Sequence, residues 1–224
     1  MNPQAVADFL AEVPIFSALG EAERRELVLR MRTRHFARGE VVFHRDDPAA
    51  HFFVIVAGTV KITIEDESGH EVLVAVERGG GTFGDVALID DSPRSATVTT
   101  LDETLLLALA RDDFFDVLER HPKSMRQLLT LLAKTIRRAS GRIEDLVFLD
   151  VSGRVAKCLL DLSQVRGTTS EIDMTQDDLA AFVGATRVSV NRVLADLEQR
   201  GVIAVGRRHV EIKDEETLRR EVRY

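Results

Sequence analysis

The chain has 224 residues, 45% of them hydrophobic and 30% charged, with 37 acidic against 30 basic side chains and a formal charge of −7. That length buries a sizeable core in one large domain or two modest ones, and the composition excludes wholesale disorder. The single cysteine, Cys158, excludes an internal disulfide and any multi-cysteine zinc or iron–sulfur site. The longest apolar runs fall short of the roughly 20 residues that cross a bilayer, and MNPQAVADFLAEV lacks the features of a signal peptide, so a cytoplasmic location is expected.

In chain order, apolar positions at helical spacing predict short helices over 4–12 and 20–31, broken at Pro14. From Arg34 to Ala110 the pattern changes to short runs rich in Val, Ile, Thr and Phe: 40–44, 51–58, 59–65 and 71–77. In the third run Val60, Ile62 and Ile64 alternate with Lys61, Thr63 and Glu65, as in a half-buried strand. DESGH at 66–70 reads as a hairpin turn, and strands 95–100 and 104–110 follow the glycine break at 79–81. So many short strands predict a closed or sandwiched antiparallel domain, ended by a helix over 111–120.

Pro122 opens the longest helix, to Phe148, about 40 Å at 1.5 Å per residue. Leu128, Leu132, Thr135, Ala139, Ile143 and Leu146 step by 4, 3, 4, 4 and 3, a near-heptad seam that either packs across its own domain or pairs with a second copy. The seam's length favours the pair, and Ala139, Ser140 and Gly141 suit close approach. Asp150 caps a further helix over 151–165; then come a loop, VRGTTSEID, and two helices around a tight break. Thr175 and Asp178 form a capping-box-like start.

Counted from Gln176, QDDLAAFVGATRVSVNRVLADL places Ala180 fifth, Gly184 ninth and Val190 fifteenth, the positions where a helix-turn-helix needs a small residue, a left-handed turn and a packed apolar residue. Thr186 caps the second helix and leaves Arg187, Ser189, Asn191 and Arg192 near its exposed start. Such a helix fits a major groove, where Arg187 or Arg192 matches guanine O6 and N7. GVIAVGRRHVEI then reads as a two-stranded wing with Arg207 and Arg208 at its tip, facing phosphates. Charge agrees: residues 1–150 sum to −7, residues 151–224 to zero, and 187–208 to +3.

A second constellation is GTFGDVALIDDSPRSATV, 81–98. Gly84 opens a turn through Asp85, Val86 and Ala87 whose backbone N–H groups suit an anion, and Arg94 and Ser95 follow on an apolar strand. A phosphate would satisfy Arg94, Ser95 and the amides together, with Asp85 accepting from a sugar hydroxyl; alternatively Arg94 pairs with Asp85 or Asp90 in an empty barrel. No catalytic set accompanies it, so the chain is read as a binding protein and not an enzyme. The six histidines lack metal-ligand spacing, and Cys158 sits on an apolar helix side with Val155, Leu159 and Leu162.

FGDVAL with PRSATV, FLDVSGRVAKCLLDL, and VGATRVSVNRVLADLEQRGVI together resemble the cyclic-AMP receptor protein (CRP/FNR) family of bacterial transcription regulators over nearly the whole chain. The resemblance implies an α+β chain: a cyclic-nucleotide-binding β-roll sensor over 1–121, a dimerisation helix and hinge over 122–150, and a winged helix-turn-helix over 151–224. It implies a homodimer on a pseudo-palindromic double-stranded DNA operator, contact with RNA polymerase if the chain activates, and no membrane. It further implies a cyclic nucleotide, cyclic AMP first, seated by Gly84, Asp85, Val86, Ala87, Arg94 and Ser95 with Ser140 near the base, and no metal, haem or iron–sulfur cluster. Against DNA it implies Thr175, Thr186, Arg187, Val188, Ser189, Asn191, Arg192, Arg207 and Arg208. The chain departs from the family at Asp85 (usually Glu), at Ala139-Ser140 (Thr-Ser in the best-known members) and at Val188 (often Glu).

Overall fold

A computed structural model describes residues 2–65, 71–165, 171–173, 175–206 and 209–223. The hairpin turn expected at 66–70, most of the loop expected before 171, and wing-tip Arg207 and Arg208 lie outside these residues. The chain divides into two compact units, with the boundary inside the long helix between Thr135 and Ile136.

The first unit opens with helices α1 (Pro3–Leu10) and α2 (Glu21–Arg30). Strands β1 (Arg32–Phe36), β2 (Val41–Phe43), β3 (His51–Ala57), β4 (Thr59–Glu65), β5 (Glu71–Arg78) and β6 (Thr82–Phe83) follow. After them come the one-turn helix α3 (Val86–Ile89), strands β7 (Thr97–Thr100) and β8 (Thr104–Ala110), and helix α4 (Arg111–Arg120). The strands form two four-stranded sheets, ordered β1-β8-β3-β6 and β2-β7-β4-β5. Strand β3 is buried on both faces, which explains why HFFVIVA is a continuous apolar run. Because side chains alternate along a strand, Phe52 and Val54 pack outward on Leu10, Phe16, Phe114 and Leu128, whereas Phe53 and Ile55 fill the roll with Val60, Phe83 and Val98. The antiparallel partner β8 splits likewise: Leu107 and Leu109 join the outer cluster, while Leu106 and Ala108 face Ile55 and Phe53 inside. Strand β7 starts at Thr97, so Arg94 and Ser95 precede the strand and do not lie on it.

Helix α5 (Pro122–Phe148) is continuous. Its first turns are anchored in the core of the first unit: Ser124 and Leu128 are buried and Leu132 packs partly against the same cluster. The expected seam is therefore out of phase there. Leu128 serves its own domain, and Thr135 donates its hydroxyl to the Leu131 carbonyl at 3.1 Å. The exposed apolar stripe runs instead through Met125, Leu129, Ile136, Ile143 and Leu146, and Ile136 is 66% exposed.

The second unit holds α6 (Val151–Val165), β9 (Glu171–Asp173), α7 (Gln176–Val183), α8 (Arg187–Gln199), β10 (Ile203–Val205), β11 (His209–Ile212) and α9 (Glu215–Glu221). Val155, Leu159, Leu179, Val190, Leu194, Leu197 and Leu218 form its core. Asp150 caps α6 by accepting from the Gly153 N–H at 2.8 Å, as expected. The last turns of α5 are tied in by Lys157 to Asp145 at 2.5 Å and by Arg142 over the Phe182 ring at 4.5 Å. Cys158 is buried, and burial together with Asp161 pushes its thiol well above the ordinary range, which leaves it a core side chain. Strand β9 and helix α9 were not legible: the first is three residues inside a polar loop, and the second is almost entirely charged. Among the described residues, no helix is long and apolar enough to cross a membrane.

Candidate functional site

In the first unit the chain pins Arg94 from both sides. Its backbone N–H donates to the Asp47 carbonyl at 2.9 Å, and its own carbonyl accepts from the Asp46 N–H at 2.9 Å. The side chain turns inward and is only 4% exposed. Nη1 donates to the Gly84 carbonyl at 2.9 Å, Nη2 donates to the His51 carbonyl at 2.7 Å, and the guanidinium lies 4.1 Å from the Phe43 ring centre. Nε has no partner among the described residues. Arg94 thus pairs with neither Asp85 nor Asp90; two carbonyls and an aromatic face stand in for a counter-charge. Burial pulls its pKa down against the opposing pull of the Asp47 and Asp85 carboxylates.

Gly84 takes φ +83°, so its carbonyl can face Arg94. Next to it, burial raises the Asp85 carboxyl, and this outweighs the lowering by the Asp85 and Val86 N–H groups and by Arg94. Val86 is exposed and Ala87 buried within α3, while Ser95 is exposed one residue beyond Arg94. The structure brings Gly84 and Arg94 into contact. Ser140 lies exposed on α5, in the second unit. Sequence reasoning missed Phe43 and His51. The Phe43 ring carries Arg94, and the His51 imidazole is pushed down by burial and by the charges of Arg34, Arg32 and Arg94. A backbone carbonyl leaves no mark in residue type, so only the fold reveals the second role of His51.

In the second unit, Thr175 accepts from the Asp178 N–H at 3.1 Å and caps α7. Gly184 ends α7 in the left-handed region at φ +66°, and its N–H donates to the Ala180 carbonyl at 3.0 Å. Thr186 caps α8 by accepting from the Ser189 N–H at 3.2 Å. Buried Ala180 and Val190 bring the two helices together. That packing leaves Arg187, Val188 and Arg192 exposed at the start of α8, with Val188 70% accessible, and Ser189 and Asn191 half-buried. Nη1 of Arg187 reaches Asp177 of α7 at 3.1 Å. Behind them β10 and β11 pair antiparallel, Ile203↔Ile212 to Val205↔Val210, and form the stem of the wing.

Comparison with known proteins matches a domain model to each part of the chain. A cyclic nucleotide-binding domain model matches residues 33–121, and a Crp-like helix-turn-helix domain model matches 153–221. The chain is 34% identical over 222 residues to the CRP-like cAMP-activated global transcriptional regulator of Mycobacterium tuberculosis, covering 96% of this chain and 99% of that one. It is 30% identical over 201 residues to the cyclic AMP receptor protein of Thermus thermophilus, covering 90% and 93%. The crystal structure of the Thermus thermophilus catabolite activator protein superposes with a TM-score of 0.55 at 29% identity, covering 93% and 98% of the two chains. These are regulators of transcription and not enzymes. With a sensor of the cyclic-nucleotide-binding fold and a helix-turn-helix joined by one long helix, the chain belongs to the CRP family of transcription regulators.

Proposed function

We propose that the chain is a cytoplasmic, homodimeric, sequence-specific DNA-binding regulator whose sensor takes a cyclic nucleotide, cyclic AMP first, at Gly84, Asp85, Val86, Ala87, Arg94 and Ser95. The observation that carries this reading is Arg94: among the described residues, a buried guanidinium with an unpartnered Nε and no carboxylate on it. Burying a cation without a counter-charge is costly, and a cyclic phosphate supplies that charge with oxygens the guanidinium fork matches. Arg32 and Arg34, whose charges reach His51 beside Arg94, add to the cationic surroundings. The relatives named as cAMP-activated or cyclic AMP receptors support the choice of nucleotide.

The stripe on α5 supports the dimer. Leu129, Ile136 and Ile143 repeat every seven residues, as do Leu132, Ala139 and Leu146, so two copies pair with isoleucine at two a positions and leucine at two d positions, a pattern that favours two strands. The family resemblance adds Ser140 of this helix to the proposed ligand residues. Thr175, Thr186, Arg187, Val188, Ser189, Asn191, Arg192, Arg207 and Arg208 face the operator, and RNA polymerase is the further partner if the chain activates. Where the family often carries a carboxylate, Val188 offers an apolar contact to a thymine methyl, so the preferred half-site differs from the family's usual one.

Calorimetry with a panel of cyclic nucleotides, with and without operator DNA selected from a random pool, tests the reading. Cyclic AMP is expected to bind the wild-type chain and to tighten DNA binding, and Arg94→Ala is expected to abolish both effects. Arg94→Ala that merely lowers Tm, with the nucleotide response intact, overturns the assignment of the pocket.

A further inference from the structure

We propose that Asp177 is a positioning residue for DNA recognition: it buttresses Arg187 and fixes the guanidinium for the edge of a guanine. This rests on the DNA-binding reading above and deepens it. The two side chains come from the first turns of neighbouring helices, α7 and α8, and Nη1 of Arg187 lies 3.1 Å from both Asp177 carboxylate oxygens. Their relative placement is set by the turn and not by the ion pair. Gly184 in the left-handed region, the Thr186 cap and buried Leu179 and Val190 hold the helices in one arrangement.

The contact has the features of a buttress. A guanidinium is planar with five donors, and Asp177 engages it through Nη1. The Nε–Nη2 edge matches the O6 and N7 acceptors of guanine. A carboxylate has only acceptors, so Asp177 repels phosphate and gives nothing to guanine O6 or N7. Its contribution to recognition passes through Arg187. Arginine loses much rotamer freedom when it docks on a base, and holding it in advance lowers that cost. As a source of stability the pair is weak, since its side chains are 59% and 67% exposed. Asp177 also lies at the N-terminal end of α7, where an acid stabilises a helix slightly; that structural role moves Tm and leaves base preference untouched.

The test uses the full-length chain with cyclic AMP, and without nucleotide in a parallel arm. DNA is first selected from a random pool, and the Kd for the selected site is compared with that for the site substituted at the guanine read by Arg187. Asp177→Ala and Asp177→Asn are expected to shrink the preference for the selected site over the substituted one by about tenfold, one base contact's share. Asp177→Glu recovers part of it, and an Arg187→Ala background makes Asp177→Ala silent. An unchanged ratio with a lower Tm, or an equal gain in affinity for every sequence, overturns the proposal and leaves the regulator reading standing. Failure of the wild-type chain to select any sequence overturns that reading and the proposal with it.

Discussion

Arg94 is stabilised by what surrounds it and strained by what it lacks. Two carbonyls and the Phe43 face satisfy part of its donor set, while the orphan Nε costs about 1–3 kcal/mol. Gly84 is part of that arrangement. A Cβ there meets Arg94 Nη1 at 2.7 Å and the His51 carbonyl at 3.3 Å, on a backbone at φ +83°. Gly84→Ala is therefore expected to lose about 1–2 kcal/mol from the left-handed backbone. Arg94 swings aside, and nucleotide affinity falls more than Tm does; thermal unfolding beside calorimetry reads both. Asp85 gives a pH prediction. Its folded pKa is raised by burial, so the folded state holds the proton more tightly than the unfolded chain. The stability this gives is fully present below the ordinary value of 3.8 and is lost as pH rises through the raised one. Asp85→Asn should raise the Tm of the unliganded chain at neutral pH, with the gain shrinking to nothing as pH falls below 3.8, while it weakens nucleotide binding. A Tm gain independent of pH contradicts this.

Two elements carry the proposed dimer and the operator contact. On α5 a heptad pattern has two tenants: inward positions Ser124 and Leu128 belong to the sensor, and Leu129, Ile136 and Ile143 face out. Ile136→Asp with Ile143→Asp places a charge at two a positions of each strand. Sedimentation equilibrium should then find monomers at micromolar concentration, with operator affinity down by at least about 100-fold because one half-site must suffice. Retention of the dimer contradicts the α5 interface. In α8 the Thr186 cap sets where the helix starts, and with it the positions of Arg187 and Val188. Thr186→Ala is expected to cost about 1 kcal/mol of stability, read by denaturant unfolding.

Over the whole molecule, net charge and function separate by region. The −7 lies in residues 1–150, and the stretch 187–208 carries five arginines against two acids. Net neutralisation of about three phosphates per subunit predicts a shallow salt dependence on random DNA, a log–log slope of about −3 per subunit. A slope twice as steep contradicts it. With little non-specific attraction to draw on, the proposed dimer is expected to depend on base contacts and on matching two half-sites. A nucleotide that favours the DNA-competent arrangement must itself bind more tightly when operator is present, by the same factor.

Much of this was legible in the residues because it follows from local chemistry. A left-handed turn demands glycine at 184, threonines 175 and 186 cap helices through hydroxyls one turn away, and strands buried on both faces write continuous apolar runs such as HFFVIVA. The succession of a strand-rich first part, one long helix and a helix-turn-helix, and the basic start of α8 on an acidic chain, needed nothing else. Tertiary structure decided what depends on partners distant in sequence. It turned Leu128 inward and Ile136 outward, because the phase of α5 is set by the core it docks on and not by its own period. It gave Arg94 to the carbonyls of Gly84 and His51 and the ring of Phe43, since a buried donor takes whichever acceptors the fold brings near. And it set Asp177 against Arg187, ten positions apart on two helices, a pairing that only the turn at Gly184 creates.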